Sequence, residues 1–148
     1  MHVLCSQFLV QTFVEGMKQA RFGRIINIIS TSVKQPIIGL GVSNTIRGAM
    51  ASWAKTLANE LGHFGITVNN VLPGMTKTQR LDSLIESIAR KKNISTEQVT
   101  TEMIDEVPAA RFGDAVEIAA VAAFLASPAA AYVNGVSIPV DGGRTGSI

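Results

Sequence analysis

Hydrophobic positions along this chain switch between two periods, and the switches mark its elements. Leu9, Phe13 and Met17 recur at four-residue spacing with Val10 and Val14 beside them, which predicts an amphipathic helix over the first segment. Arg21 to Gly23 make a turn, and Arg24 to Ser30, RIINIIS, then place β-branched apolar residues at consecutive positions. Such a run suits a strand buried on both faces, as in a parallel sheet covered by helices. Thr31 to Val42 has no consistent period, and Pro36, Gly39 and Gly41 mark it as a loop. Ile46, Met50, Trp53, Leu57 and Leu61 then line one face of a helix from about Ser43 to Leu61, ended by Gly62 and Gly65. Ile66 to Leu72, ITVNNVL, is the second strand, stopped by Pro73 and Gly74. The more polar stretch Thr76 to Glu106 divides into two helices near Asn93 and suits a lid or substrate loop. Asp114 can cap a helix over Val116 to Ala126, and Val136 to Val140 is the third strand.

Strands alternating with helices in this way predict an α/β fold with right-handed crossovers and a parallel sheet. Three strands are few for an open parallel sheet. The strand Arg24 to Ser30 would then present a long, apolar, unpaired edge, which points to a piece of the sheet outside these 148 residues.

Composition narrows the class. With 47% apolar and 16% charged residues the chain can build a real core, and its length fits one domain. Lys and Arg are scattered at a net charge of +2, so there is no basic stripe for nucleic acid. The longest apolar stretch, Ile118 to Ala126, is far short of the ~20 residues of a membrane span. The first residues lack the basic start and small-residue cleavage site of a signal peptide, and the expected location is cytoplasmic. Cys5, the only cysteine, reads as a small buried apolar residue in a reducing compartment.

Four blocks in order resemble the short-chain dehydrogenase/reductase family, in particular its 3-oxoacyl-carrier-protein-reductase-like members. GRIINIIS resembles the strand ending in the active-site serine, and ITVNNVLPG the strand and Pro-Gly turn over the nicotinamide. RFGDAVEIAAVAAFLAS and GVSIPVDGG resemble the last helix and strand. The resemblance implies the C-terminal part of a Rossmann-type doubly wound parallel sheet of about seven strands. On it, residues 1–148 are one partial Rossmann-type domain lacking the dinucleotide-binding half, with its TGxxxGxG turn and NNAG segment. Without the glycine-rich turn, which brings backbone amides and a helix N-terminus onto the pyrophosphate, tight cofactor binding by this chain alone is not expected.

By the same resemblance the cofactor is NAD or NADP and the substrate a small carbonyl compound or alcohol. The family's serine falls on Ser30; its tyrosine, thirteen residues on, falls on Ser43, and its lysine, four further, on Arg47. An alkyl alcohol is far too weak an acid to replace a phenol, whose pKa of about 10 can be brought toward neutrality. Arg47 can anchor ribose or phosphate but stays protonated and passes no proton on. Pro73, Gly74, Thr76 and Thr78 resemble the family's cofactor-contacting PGxxxT turn, and would equally serve as a strand-ending turn and helix cap. His2 falls roughly where the family has an asparagine, and its plainer reading is a terminal residue without a role. Tyr132, the only tyrosine, suits packing or an interface. The alternative is a non-catalytic subunit or binding protein in an oligomer, because in the family the first helix and the Ser43–Leu61 helix commonly pair across a dimer interface. Trp53 and Met50 would be its anchors, or else core residues. A third reading is altered, hydrolytic chemistry through Ser30, Ser43 and His2. No metal site is expected.

Overall fold

The computed structural model describes residues 2–147. Helix α1 (His2–Ala20) leads into strand β1 (Gly23–Ile28), a 3-10 turn at Thr31–Val33 and helix α2 (Gly41–Leu61). Strand β2 (Ile66–Pro73) follows, then α3 (Gln79–Lys92), α4 (Thr96–Asp105), α5 (Ala115–Ala126) and β3 (Ser137–Val140). The sheet is parallel throughout, in the order β1-β2-β3, with Gly23 opposite Ile66 and Asn70 opposite Ser137. This is the α/β architecture that the consecutive apolar runs imply. Burial on both faces, expected of Arg24–Ser30, is found in the central strand instead: every residue from Ile66 to Leu72 is buried, whereas β1 lies at the edge of the sheet with Arg24 to Asn27 half-buried and Ile28 exposed.

Helices cover the two faces unequally. Ala54, Ala58 and Leu61 of α2 pack on Ile66 and Val68, and Met50 packs on Ile29 and Leu72. On the opposite face Leu125, Ile118 and Val121 of α5 cover Val71. Two asparagines, half-buried Asn134 and buried Asn69, fix the approach to β3. Asn134 accepts from Val68 N–H at 2.8 Å and donates to the Ala58 carbonyl at 2.9 Å, while Asn69 donates to the Val133 carbonyl at 2.8 Å. The α3–α4 pair carries a core of its own, Leu81, Ile85, Ala89, Val99, Met103 and Phe112. A clasp ties its base, with Lys77 N–H on the Gly113 carbonyl and Gly113 N–H on the Met75 carbonyl, both at 2.9 Å.

Two turns admit only glycine. Gly65 enters β2 at φ +78°, and a Cβ there would lie 2.4 Å from the Arg21 carbonyl oxygen. Gly74 leaves β2 so close to β3 that a Cβ would meet Asp141 Cβ at 2.5 Å.

Several expectations need correction. The packed face of α1 runs through Val3, Gln7, Val14 and Met17, whereas Leu9 and Phe13 are more than half exposed. Cys5 is exposed, because it lies off that packed face. Tyr132 is fully exposed and packs on nothing, standing in the turn that follows the 3-10 segment Pro128–Ala130. Met50 is a core residue, and Trp53 is half-buried with its indole N–H on Gln7 Oε1 at 2.8 Å. No helix among the described residues is long and apolar enough to cross a membrane.

Candidate active site

All three strands end on the same side of the sheet, and that carboxyl edge is where open α/β sheets bind ligands. Ser30 follows β1 there. Its Oγ accepts from the Ser32 backbone N–H at 3.1 Å and so caps the 3-10 turn. Ser43 and Arg47 lie one turn apart on α2, both half-buried, and the Arg47 Nε–H donates to Ser43 Oγ at 3.2 Å. The same guanidinium donates through Nη1 to the carbonyl of Ile29, the residue before Ser30. Arg47 therefore bridges the start of α2 to the end of the serine strand.

That bridge sets the chemistry of both partners. Ser43 Oγ is occupied as an acceptor, so its own proton is free to be donated into the space in front. A guanidinium has five N–H donors, and two are engaged, which leaves three for a ligand. Ser43 and Arg47 thus offer donors to an acceptor-rich group such as a carbonyl, ribose or phosphate.

In front of them lies a cleft of about 930 Å³ between α1, β1 and the start of α2. His2, Ser6 and Leu9 line it from α1, Ile26 to Ile29 from β1, and Gly39 to Ser43, Ile46, Arg47 and Met50 from the loop and α2. His2 sits at the first turn of α1 and faces the same cleft as Ser43. Ser30 is outside that lining.

The second group of predicted residues lies at the end of β2. Pro73 closes the strand, Gly74 N–H donates to the Val140 carbonyl at 3.0 Å, and Thr76 Oγ1 donates to the Gly74 carbonyl at 3.2 Å. Thr78 Oγ1 caps α3 by accepting from Leu81 N–H at 3.3 Å. These four make a turn and a helix cap, apart from the 930 Å³ cleft but on the same edge of the sheet. Asp141, next to Gly74, adds an ionised carboxylate. Burial would raise its pKa, but hydrogen bonds from the Thr145 side chain and the Thr145 and Gly143 backbone outweigh that and leave it below the ordinary value.

Sequence reasoning passed over Asn27 and Ser32. Asn27 lines the cleft and donates to Asn70 Oδ1 at 3.0 Å; finding it takes the strand register, which pairs the two. Ser32 is buried with its Oγ unpartnered. No cluster of metal-ligating side chains occurs among the described residues.

Comparison with known proteins agrees with this architecture. Residues 3–145 match the family described as enoyl-(acyl carrier protein) reductase. The chain is 37% identical over 132 residues to the NADPH-dependent reductase BacG of Bacillus subtilis, covering 89% of this chain and 51% of that protein. It is 34% identical over 135 residues to the 3-oxoacyl-[acyl-carrier-protein] reductase FabG of Vibrio cholerae, with 91% and 51% covered. Among solved structures it superposes on YwfH, an NADPH-dependent reductase involved in bacilysin biosynthesis, with a TM-score of 0.91 at 32% identity, over 98% of this chain and 56% of that one. On the actinorhodin polyketide ketoreductase with NADPH the TM-score is 0.84 at 32% identity, over 89% and 51%. The chain belongs to the short-chain dehydrogenase/reductase family. It spans about half the length of these relatives.

Proposed function

We propose that this chain is one half of a reductase domain that uses NAD or NADP to interconvert a small carbonyl compound and an alcohol. Residues 1–148 are read as a single partial Rossmann-type domain acting with a dinucleotide-binding half. The observation that carries the reading is the Ser43–Arg47 pair, anchored to the Ile29 carbonyl at the carboxyl end of β1 and lining the cleft beside that strand.

The residues present fit a nicotinamide cofactor in part. Arg47 has donors to spare for ribose or phosphate, and the Pro73–Thr78 turn offers backbone groups at the strand ends, with the Thr76 and Thr78 hydroxyls engaged in the turn itself. The bound cofactor supplies or accepts the hydride. Ser43 donates a hydrogen bond to the substrate oxygen, while Ser30 caps the 3-10 turn that follows β1. Arg47 holds Ser43 in place and lowers the energy of negative charge on that oxygen. The proton that completes the alcohol comes from solvent or from His2, which lines the same cleft. The cytoplasm is the proposed compartment.

A chimera tests this reading. This chain replaces the matched segment of BacG, and NADPH or NADH oxidation is followed with a panel of ketones. Turnover that falls by about a hundredfold in Arg47→Ala is expected, the scale of losing one charge-stabilising donor. A folded chimera that binds neither dinucleotide and oxidises neither would sink the proposal.

A further inference from the structure

The chain from Ile37 to Leu40 makes a tight turn, closed by Leu40 N–H on the Ile37 carbonyl at 3.2 Å. Asn44, from the first turn of α2, pins that turn through both of its side-chain ends. Its Nδ2 donates to the same Ile37 carbonyl at 2.8 Å, and its Oδ1 accepts from Ile37 N–H at 3.4 Å. Leu40 is thereby held in the lining of the cleft, together with Val42 and Ile46. Leu40 and Val42 are 44% and 79% exposed, so neither spends its apolar surface on the core.

These three side chains surround the hydroxyl at the centre of the site. Val42 directly precedes Ser43, and Ile46, three residues on, shares its side of α2. An oxygen bound to the Ser43 hydroxyl therefore brings the group attached to it against Leu40, Val42 and Ile46. That wall has little to give a polar group. Among the described residues no carboxylate lines the cleft, Arg47 is its one arginine or lysine, and His2, Ser6 and Asn27 stand across from the wall, on α1 and β1. A hydroxyl laid on the α2 side loses water without gaining a partner, whereas an alkyl or aryl group laid there gains by burial. A cleft of about 930 Å³ also has room for such a group beside the reacting carbonyl.

We infer that this site, read as a reductase site, selects carbonyl compounds whose substituent is apolar over polyhydroxylated ones. Leu40 sets that preference, and Asn44 is the positioning residue that holds Leu40 against the substrate. The preference belongs to the wall of the cleft and is readable as binding, without turnover.

Benzylacetone and fructose, an apolar and a polyhydroxylated ketone, are titrated into the full methyl-labelled chain and followed by NMR. Benzylacetone is expected to shift the methyl signals of Leu40, Val42 and Ile46 and to saturate at about millimolar concentration. Fructose should bind at least about tenfold more weakly. Leu40→Asn puts a favoured cap residue at the N-cap of α2, so the fold is kept while the apolar wall is lost. It is expected to weaken benzylacetone about tenfold and to leave fructose unchanged. Asn44→Ala, with its fold checked by the amide spectrum, should cost benzylacetone roughly fivefold and again spare fructose. Equal losses for both ligands in Asn44→Ala would mark a merely structural role and overturn the assignment of Asn44. Fructose binding as tightly as benzylacetone overturns the inference, as does benzylacetone binding that leaves the three methyl signals unmoved or no binding at about 20 mM. The BacG chimera separates this inference from the reductase reading. Benzylacetone bound at the wall but never reduced removes the reductase reading and keeps the apolar site, and reduction of fructose in preference to benzylacetone does the reverse.

Discussion

Arg47 acts through the shape of its head group. A lysine would present a single ammonium on a flexible stem, whereas the guanidinium forks to Ser43 Oγ and the Ile29 carbonyl at once. If the pair has replaced a phenol and an ammonium, restoring them should raise activity. Ser43→Tyr with Arg47→Lys in the BacG chimera is expected to increase the ketone reduction rate about 10²-fold, the lower end of general-acid contributions. Ser43→Tyr alone should gain less, since the arginine cannot tune the phenol as an ammonium does. A flat result in the double variant would show that the chemistry does not run through this pair. Gly74 and Thr78 are governed by packing. Gly74→Ala forces a methyl into Asp141 and should cost about 1–3 kcal/mol in urea unfolding. Thr78→Ala removes a helix cap and should cost about 1 kcal/mol, with Thr78→Ser close to wild type. Loss of stability in Thr78→Ser as large as in the alanine variant would argue that the methyl, and not the hydroxyl, matters.

Among the elements, α5 has a charged start that makes folding sensitive to acid. Glu117 is held down to about 2 by the hydrogen bonds from Arg111 and the Asp114 backbone, and Arg111 Nη1 and Nη2 grip it at 2.8 and 2.6 Å. A carboxylate with a folded value below its unfolded one adds stability above the unfolded value of 4.5 and loses it as pH falls toward 2. Thermal melts should therefore show the wild type losing stability between pH 5 and pH 2. Glu117→Gln should start lower at neutral pH and lose less over the same range. Equal slopes for the two proteins would place the acid sensitivity elsewhere. How far the sequence could be read also differs from element to element. Strand β2 was legible from its β-branched run and the Pro73–Gly74 stop, whereas Ser43 and Arg47 were singled out only through the family resemblance, since nothing in the local pattern of α2 marks them. The packed side of α1 was not legible, since that helix is apolar on more than one side and periodicity cannot say which side is used. The hydrogen-bonded row Asn27–Asn70–Ser137 and the Arg47 contact with Ile29 needed the strand register and the docking of α2, neither of which local pattern encodes.

For the molecule as a whole, the unused side of α1 is the feature still to be accounted for. Leu4 and Phe8, one turn apart, are 77% and 69% exposed on a helix with no buried residue, on the side away from the His2, Ser6 and Leu9 lining of the cleft. Apolar side chains gathered this way on a solvent face mark an association surface. A second copy of this chain is the occupant that sedimentation tests. The surface lies off the packed face of α1, which engages α2 through Gln7 and Trp53. Sedimentation of the purified chain should give a concentration-dependent dimer or larger species. Leu4→Glu with Phe8→Glu should move it to monomer while leaving the Trp53 emission unchanged, because neither residue belongs to the cluster around that indole. A monomeric wild type would remove the assignment. A double variant that still self-associates would shift it to the open edge of β1, where slowed hydrogen exchange of that strand's outward-facing amides would then reveal it.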